Sequence, residues 1–96
     1  MGTRERQRFQ LGRIVATPGA LEVMARRGID AGELLARHAA GDWGDLDEHD
    51  KRENEFSVTR RLRILSAYGT QDDPDRLWLI TEADRSATTI LKPDEY

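Results

Sequence analysis

The chain has 96 residues, 34% of them charged and 38% hydrophobic, with a formal net charge of −3, which fits one soluble domain with a thin core. It has no cysteine, so disulfide staples and thiolate zinc sites are excluded and a reducing compartment fits. No apolar run approaches the roughly 20 residues that cross a bilayer, and MGTRERQRFQ lacks the apolar block of a secretory signal, so a cytoplasmic protein without a membrane role is expected.

Residues 1–11 read as a flexible basic lead-in, ahead of a single α+β domain over 12–96. Arg4, Arg6, Arg8 and Arg13 stand in the first thirteen residues against one acid, Glu5. Such an arm could contact nucleic acid by releasing counterions. A solvated terminus is the simpler account, because an acidic chain is a poor non-specific DNA binder.

Thr17 followed by Pro18 marks a helix start, and Leu21, Met24 and Ala25 share a face until Gly28 ends the element. A second helix starts at Asp30, where Glu33 completes an acidic capping box and Ile29 can staple onto Leu34. It runs past Leu35 and His38 to Gly41. A third helix is expected from Asp47 through Phe56 or slightly beyond, with Glu48 and Asp50 in its first turn, where the dipole favours negative charge.

The period then changes from helix to strand. RLRILSAY alternates Leu62, Ile64, Ser66 and Tyr68 against charged or small neighbours. QDDPD (71–75) is a turn cluster, LWLITEA (77–83) a buried strand, and ATTILK (87–92) a third strand ended by Pro93. The expected architecture is two to three N-terminal helices packed on a three-stranded antiparallel β-meander. Trp43, Trp78, Phe56 and Tyr68 are the large side chains expected to fill the core, both tryptophans included.

Two clusters carry candidate chemistry. HAAGDWGDLDEHD (38–50) is crowded with histidine and aspartate, and residues 42–55 hold seven acids against Lys51 and Arg52. His38 and His49 lie too far apart for a helical ligand pair and no third nitrogen ligand is evident, so neither a metal nor a cofactor is expected. A ribonuclease would need a base, an acid and a phosphate contact, roles open to His38, Tyr68, Thr70, Arg85, Ser86 and Thr88. A structural account gives His38 to a helix C-terminus, Gly41 and Gly44 to a turn, and Trp43 to the space below the sheet. The second cluster, ITEADRSATTIL (80–91), puts Glu82, Asp84 and Arg85 at a hairpin tip, where Arg85 could serve as a separate contact. Thr81, Thr88 and Arg63 could form an exposed sheet face, and an unpaired sheet edge could accept another chain.

The words GDWGDL and ITEADRSATTIL, with TPGAL and ILSAY between or before them, resemble a group of short bacterial proteins of plasmids, integrative elements and prophages, often labelled plasmid-related. The resemblance covers most of the chain beyond residue 11. It implies a mobile-element accessory protein, such as an inhibitor of CRISPR or restriction that acts by binding a protein partner rather than by catalysis. The contact surface expected for that role is Asp42, Asp45, Asp47, Glu48 and Asp50, together with Arg85. The alternatives are a small ribonuclease resembling the barnase and colicin-type toxins, using His38 and Arg85, and a nucleic-acid accessory protein led by the basic arm.

Overall fold

The computed structural model describes residues 6–96; Arg4 of the basic arm lies outside them. In chain order the elements are β1 (Arg13–Ala16), α1 (Pro18–Arg27), α2 (Ala31–Ala39), α3 (Glu48–Arg60), β2 (Ile64–Tyr68), β3 (Leu77–Thr81) and β4 (Ala87–Leu91), with a final 3₁₀ turn over Pro93–Glu95. The α+β class is as expected. The sheet differs: it has four strands in the order β1-β4-β3-β2, and β1 runs parallel to β4 while the other pairs are antiparallel.

The helices form where their caps direct. Thr17 accepts the Ala20 N–H, Asp30 the Gly32 N–H and Asp47 the Asp50 N–H, each satisfying a donor that the first helical turn leaves unpaired. α3 runs four residues beyond Phe56, to Arg60, and closes through Arg61 in a left-handed conformation.

One sheet face carries Ile64, Ser66 and Tyr68 of β2 opposite Thr81, Leu79 and Leu77 of β3, then Thr88 and Ile90 of β4. Two apolar lobes form on this inner face. Ala20, Val23, Met24 and Leu34 pack on Tyr68, Leu77, Leu79 and Ile90, while Phe9, Trp43 and Ile64 form a second cluster with Leu46 and Val58. Phe9 is buried and the Arg8 amide donates to the Ala39 carbonyl at 2.8 Å, so the lead-in is held against the domain from Arg8 onward.

The β2 edge is closed. Gly44 bridges Ala67, and the Asn54 amide pairs both backbone groups of Leu65, donating to its carbonyl at 2.7 Å and accepting its N–H at 3.1 Å. Gly44 holds φ +76° with the Ala67 carbonyl against the place a Cβ would occupy, so only glycine fits there. Among the described residues the β1 edge carries no such cover, and Ile14 and Val15 on it are exposed.

Two expected core residues sit elsewhere. Phe56 is exposed on α3 beneath the Arg60 guanidinium. Trp78 alternates onto the outer sheet face, half-buried, where Tyr96 meets it edge-on at 6.0 Å. Trp43 is in the core as expected, 4% exposed and donating its indole N–H to Glu55. Trp43→Ala should therefore cost about 3–5 kcal/mol of stability, whereas Trp78→Ala should cost only about 1–2 kcal/mol. Urea unfolding of the two variants checks this, and equal losses would contradict the placement of Trp78.

Candidate functional site

His38 reaches the inner sheet face from the last turn of α2 and is fully buried. Its Nδ1 lies 2.6 Å from the Ser66 hydroxyl and its Nε2 lies 2.9 Å from the Thr81 hydroxyl. Thr81 continues to Thr88 at 2.6 Å, and Thr88 donates to the Leu11 carbonyl at 2.7 Å. A carbonyl only accepts, so each proton in the chain has one possible place. Thr88 gives its proton to Leu11, Thr81 gives to Thr88, and His38 gives from Nε2 to Thr81. Nδ1 is then the bare nitrogen and accepts from Ser66.

Burial holds the His38 pKa down to about 4, so the imidazole is neutral at physiological pH. The rings of Phe9 and Trp43 stand edge-on to it at 5.2 and 6.1 Å. With no exposed atom and both nitrogens engaged, His38 is out of reach of any substrate.

The other residues considered for ribonuclease chemistry do not converge on a surface. Thr88 is buried within the His38 chain, and the Tyr68 hydroxyl donates to the Asp42 carbonyl while burial raises its pKa to about 12. Thr70 and Ser86 are exposed, in the turns that follow β2 and precede β4. Arg85 is no exposed hairpin contact: it is 7% exposed, with Nη1 donating to the carbonyls of Leu62, Glu82 and Ala83 and Nη2 to that of Ser57. The expected sheet-face trio also divides, since Thr81 and Thr88 face the interior and Arg63 the outside.

The acids are brought together more usefully. A groove of about 680 Å³ runs between the start of α3 and the outer face of β2 and β3. Asp45, Asp47, Asp50 and Glu53 line one side, Arg63 and Arg76 the other, with Leu65 and Trp78 as its apolar part. Asp42 and Glu48 fall outside it. Asp42 is paired with Arg37 at 2.7 Å, which holds its carboxyl below the ordinary range, and Glu48 faces Lys51 at 3.7 Å.

Within the groove, three roles differ. Asp45 accepts the Gly69 N–H and Asp47 caps α3, so both serve the fold. Asp50 and Glu53 are exposed on α3, and their carboxylates make no hydrogen bond or ion pair among the described residues. Arg76 ties the rim together by donating to the carbonyls of Gly69 and Asp45. The sequence singled out the acids and set Arg63 on an exposed sheet face, but it left Glu53 out of the contact surface and missed Arg76 and the outward Trp78. The half-hidden signal was strand alternation, because Trp78 stands one residue out of step with Leu77 and Leu79.

Among the described residues, no three histidine, aspartate or glutamate side chains come together as metal ligands, and no helix is long and apolar enough to cross a membrane. Comparison with protein-family models, curated proteins and solved structures gives no match.

The depressed pKa of His38 fixes a pH dependence. An unfolded chain protonates histidine near 6.5 and the folded one only near 4, so protons bind the unfolded state first. The stability His38 contributes is complete above about pH 6.5 and falls as pH drops toward 4, by up to ~1.4 kcal/mol per unit. The urea midpoint should drop between pH 7 and pH 5, where carboxylates change little. The same midpoint at both values would contradict a neutral buried imidazole.

Proposed function

We propose that this chain is a non-enzymatic binding protein and that a protein partner docks in the groove beside α3. One observation supports the reading above the others: an apolar patch of Trp78 and Leu65 lies under an acidic wall whose Asp50 and Glu53 carboxylates have no partner among the described residues. Partly exposed aromatic surface beside unpaired charge is the composition of a recognition site, where the aromatic contributes affinity and the charge orientation. A partner segment that places a lysine or arginine next to an apolar side chain matches the acidic wall and the apolar patch below it.

The likeness of GDWGDL and ITEADRSATTIL to short mobile-element proteins supplies a setting for that activity. In it, the chain is an accessory protein that inhibits a host defence such as CRISPR or restriction, its acidic wall competing with nucleic acid for a basic groove on the target. Such an inhibitor needs no catalytic residue. The burial of His38 agrees with a binding role better than with a ribonuclease.

The division of labour among the acids provides the test. Asp50→Lys combined with Glu53→Lys leaves the α3 cap and the Gly69 contact in place and should cost about 1 kcal/mol of stability through the helix dipole. Its affinity for a partner captured from host extract should fall at least about tenfold, the scale of losing one well-placed charge pair. Trp78→Ala should weaken the same complex. A partner held with full affinity by the doubly reversed variant would contradict the groove assignment.

A further inference from the structure

A second cleft, of about 330 Å³, lies past the C-terminal end of α3 on the side of the N-terminal segment. Its lining includes three arginines, Arg8, Arg61 and Arg85, with Gln7, Gln10 and Phe9, and among the described residues it includes no acid. In a chain of net charge −3 that concentration stands out against the two larger clefts, both of which carry carboxylates.

The backbone points to the same place. Among the described residues, two that are not glycine hold a left-handed conformation, Arg61 at φ 56° and Arg85 at φ 62°. Side chains other than Gly, Asn or Asp rarely adopt it, and each case costs of order 1 kcal/mol. Both strained residues are arginines, and both line this cleft. The helix cap at 61 would be served better by glycine or asparagine, so the fold alone gives no reason for arginine there.

Two of the three charges also lack an ion-pair partner of their own among the described residues. Neither Arg61 nor Arg85 forms an ion pair among the described residues, and the Glu55 carboxylate near the cleft is engaged bidentately by Arg8 and by the Trp43 indole. Asp84 accepts the Ser86 N–H, which with a weaker attraction from Arg61 holds its carboxyl below the ordinary range, but the two form no ion pair. Burial above all, and then the nearby Arg61 charge, push the Arg85 guanidinium below its ordinary pKa. Arg85 is fixed by four carbonyl bonds through Nη1 and Nη2, and none of them uses its Nε.

We infer that this cleft is an oxyanion site that takes a phosphate group, with Arg85 as its preset floor and the exposed Arg61 as its clamp. A phosphate dianion suits the site because Arg61 keeps its paired guanidinium donors unspent among the described residues and the Arg85 Nε–H is not used by the carbonyls that fix that side chain. Gln7 and Gln10 supply neutral donors at the rim. The site is separate from the groove proposed for a protein partner, and either can fail without the other.

The test is a titration of the full chain followed by amide and Arg side-chain NMR signals, at constant ionic strength set with sodium chloride. Inorganic phosphate, adenosine monophosphate and adenosine are the probes. Saturable shifts at Arg61, Arg85 and the 7–10 segment are expected with the first two and not with adenosine. Equal affinity would assign a free phosphate, and tighter binding of the nucleotide a nucleotide phosphate. Arg61→Asn keeps the left-handed cap, so it should fold normally and lower phosphate affinity by about tenfold, as expected for loss of one charge-assisted contact. No saturable shift at the cleft, or unchanged affinity in Arg61→Asn, would overturn the site.

Discussion

The structure depends on one buried imidazole. His38 leaves the end of α2 and joins β2 through Ser66 and β3 through Thr81, then β4 through Thr88 and the N-terminal segment through Leu11. A polar group in a core needs every donor and acceptor met, and here a single proton order meets them all. That requirement sets the rotation of α2 over the sheet and the place where residues 9–11 cross it. It also divides the interior into two apolar lobes, one under α1 and α2 and one around Phe9, Trp43 and Ile64.

With the inner face so committed, recognition is left to α3 and the outer face. α3 does not lie across the sheet; it borders β2, where Asn54 stands in for a further strand. Its early turns thus face the outer surface of β2 and β3 across the acidic groove, and its C-terminal end meets the N-terminal segment at the arginine cleft. The two clefts carry opposite charge although one helix borders both. The helix dipole agrees with this division, since the acids sit at the start of α3 and the arginines past its end.

Much of the fold was legible because its signals are local. Thr17-Pro18, Asp30 with Glu33, and Asp47 each place a helix start correctly, and the alternation of ILSAY, LWLIT and ATTIL gives three strands. β1 was not legible: Arg13-Ile14-Val15-Ala16 is short, shows no alternation, and owes its existence to pairing with a strand more than seventy residues later. Trp78 and Phe56 were misplaced for a related reason. Hydrophobicity says that a side chain seeks cover, but the side it faces is set by register and by which helix lies over the sheet.

The candidate site was legible in part. The acidic run announced a charged surface, yet sequence could not separate Asp45 and Asp47, which hold the fold, from Asp50 and Glu53, which face outward unpaired. His38 attracted notice as a catalytic candidate because it is the residue type poised for proton transfer. Its hydroxyl partners, Ser66, Thr81 and Thr88, lie far along the chain, and only the assembled sheet shows that they enclose it. Arg85 was read as exposed because it stands at a hairpin tip, whereas the carbonyls around the end of α3 draw it inward.

The most direct test of this account is the nitrogen NMR spectrum of His38 across a pH titration. The account predicts one neutral tautomer, protonated at Nε2 and bare at Nδ1, that persists well below pH 6 and titrates near 4. A His38 that titrates near 6.5, or that exchanges between tautomers, would show an imidazole open to solvent. That result would undo the buried chain and return His38 to the list of groups able to meet a substrate.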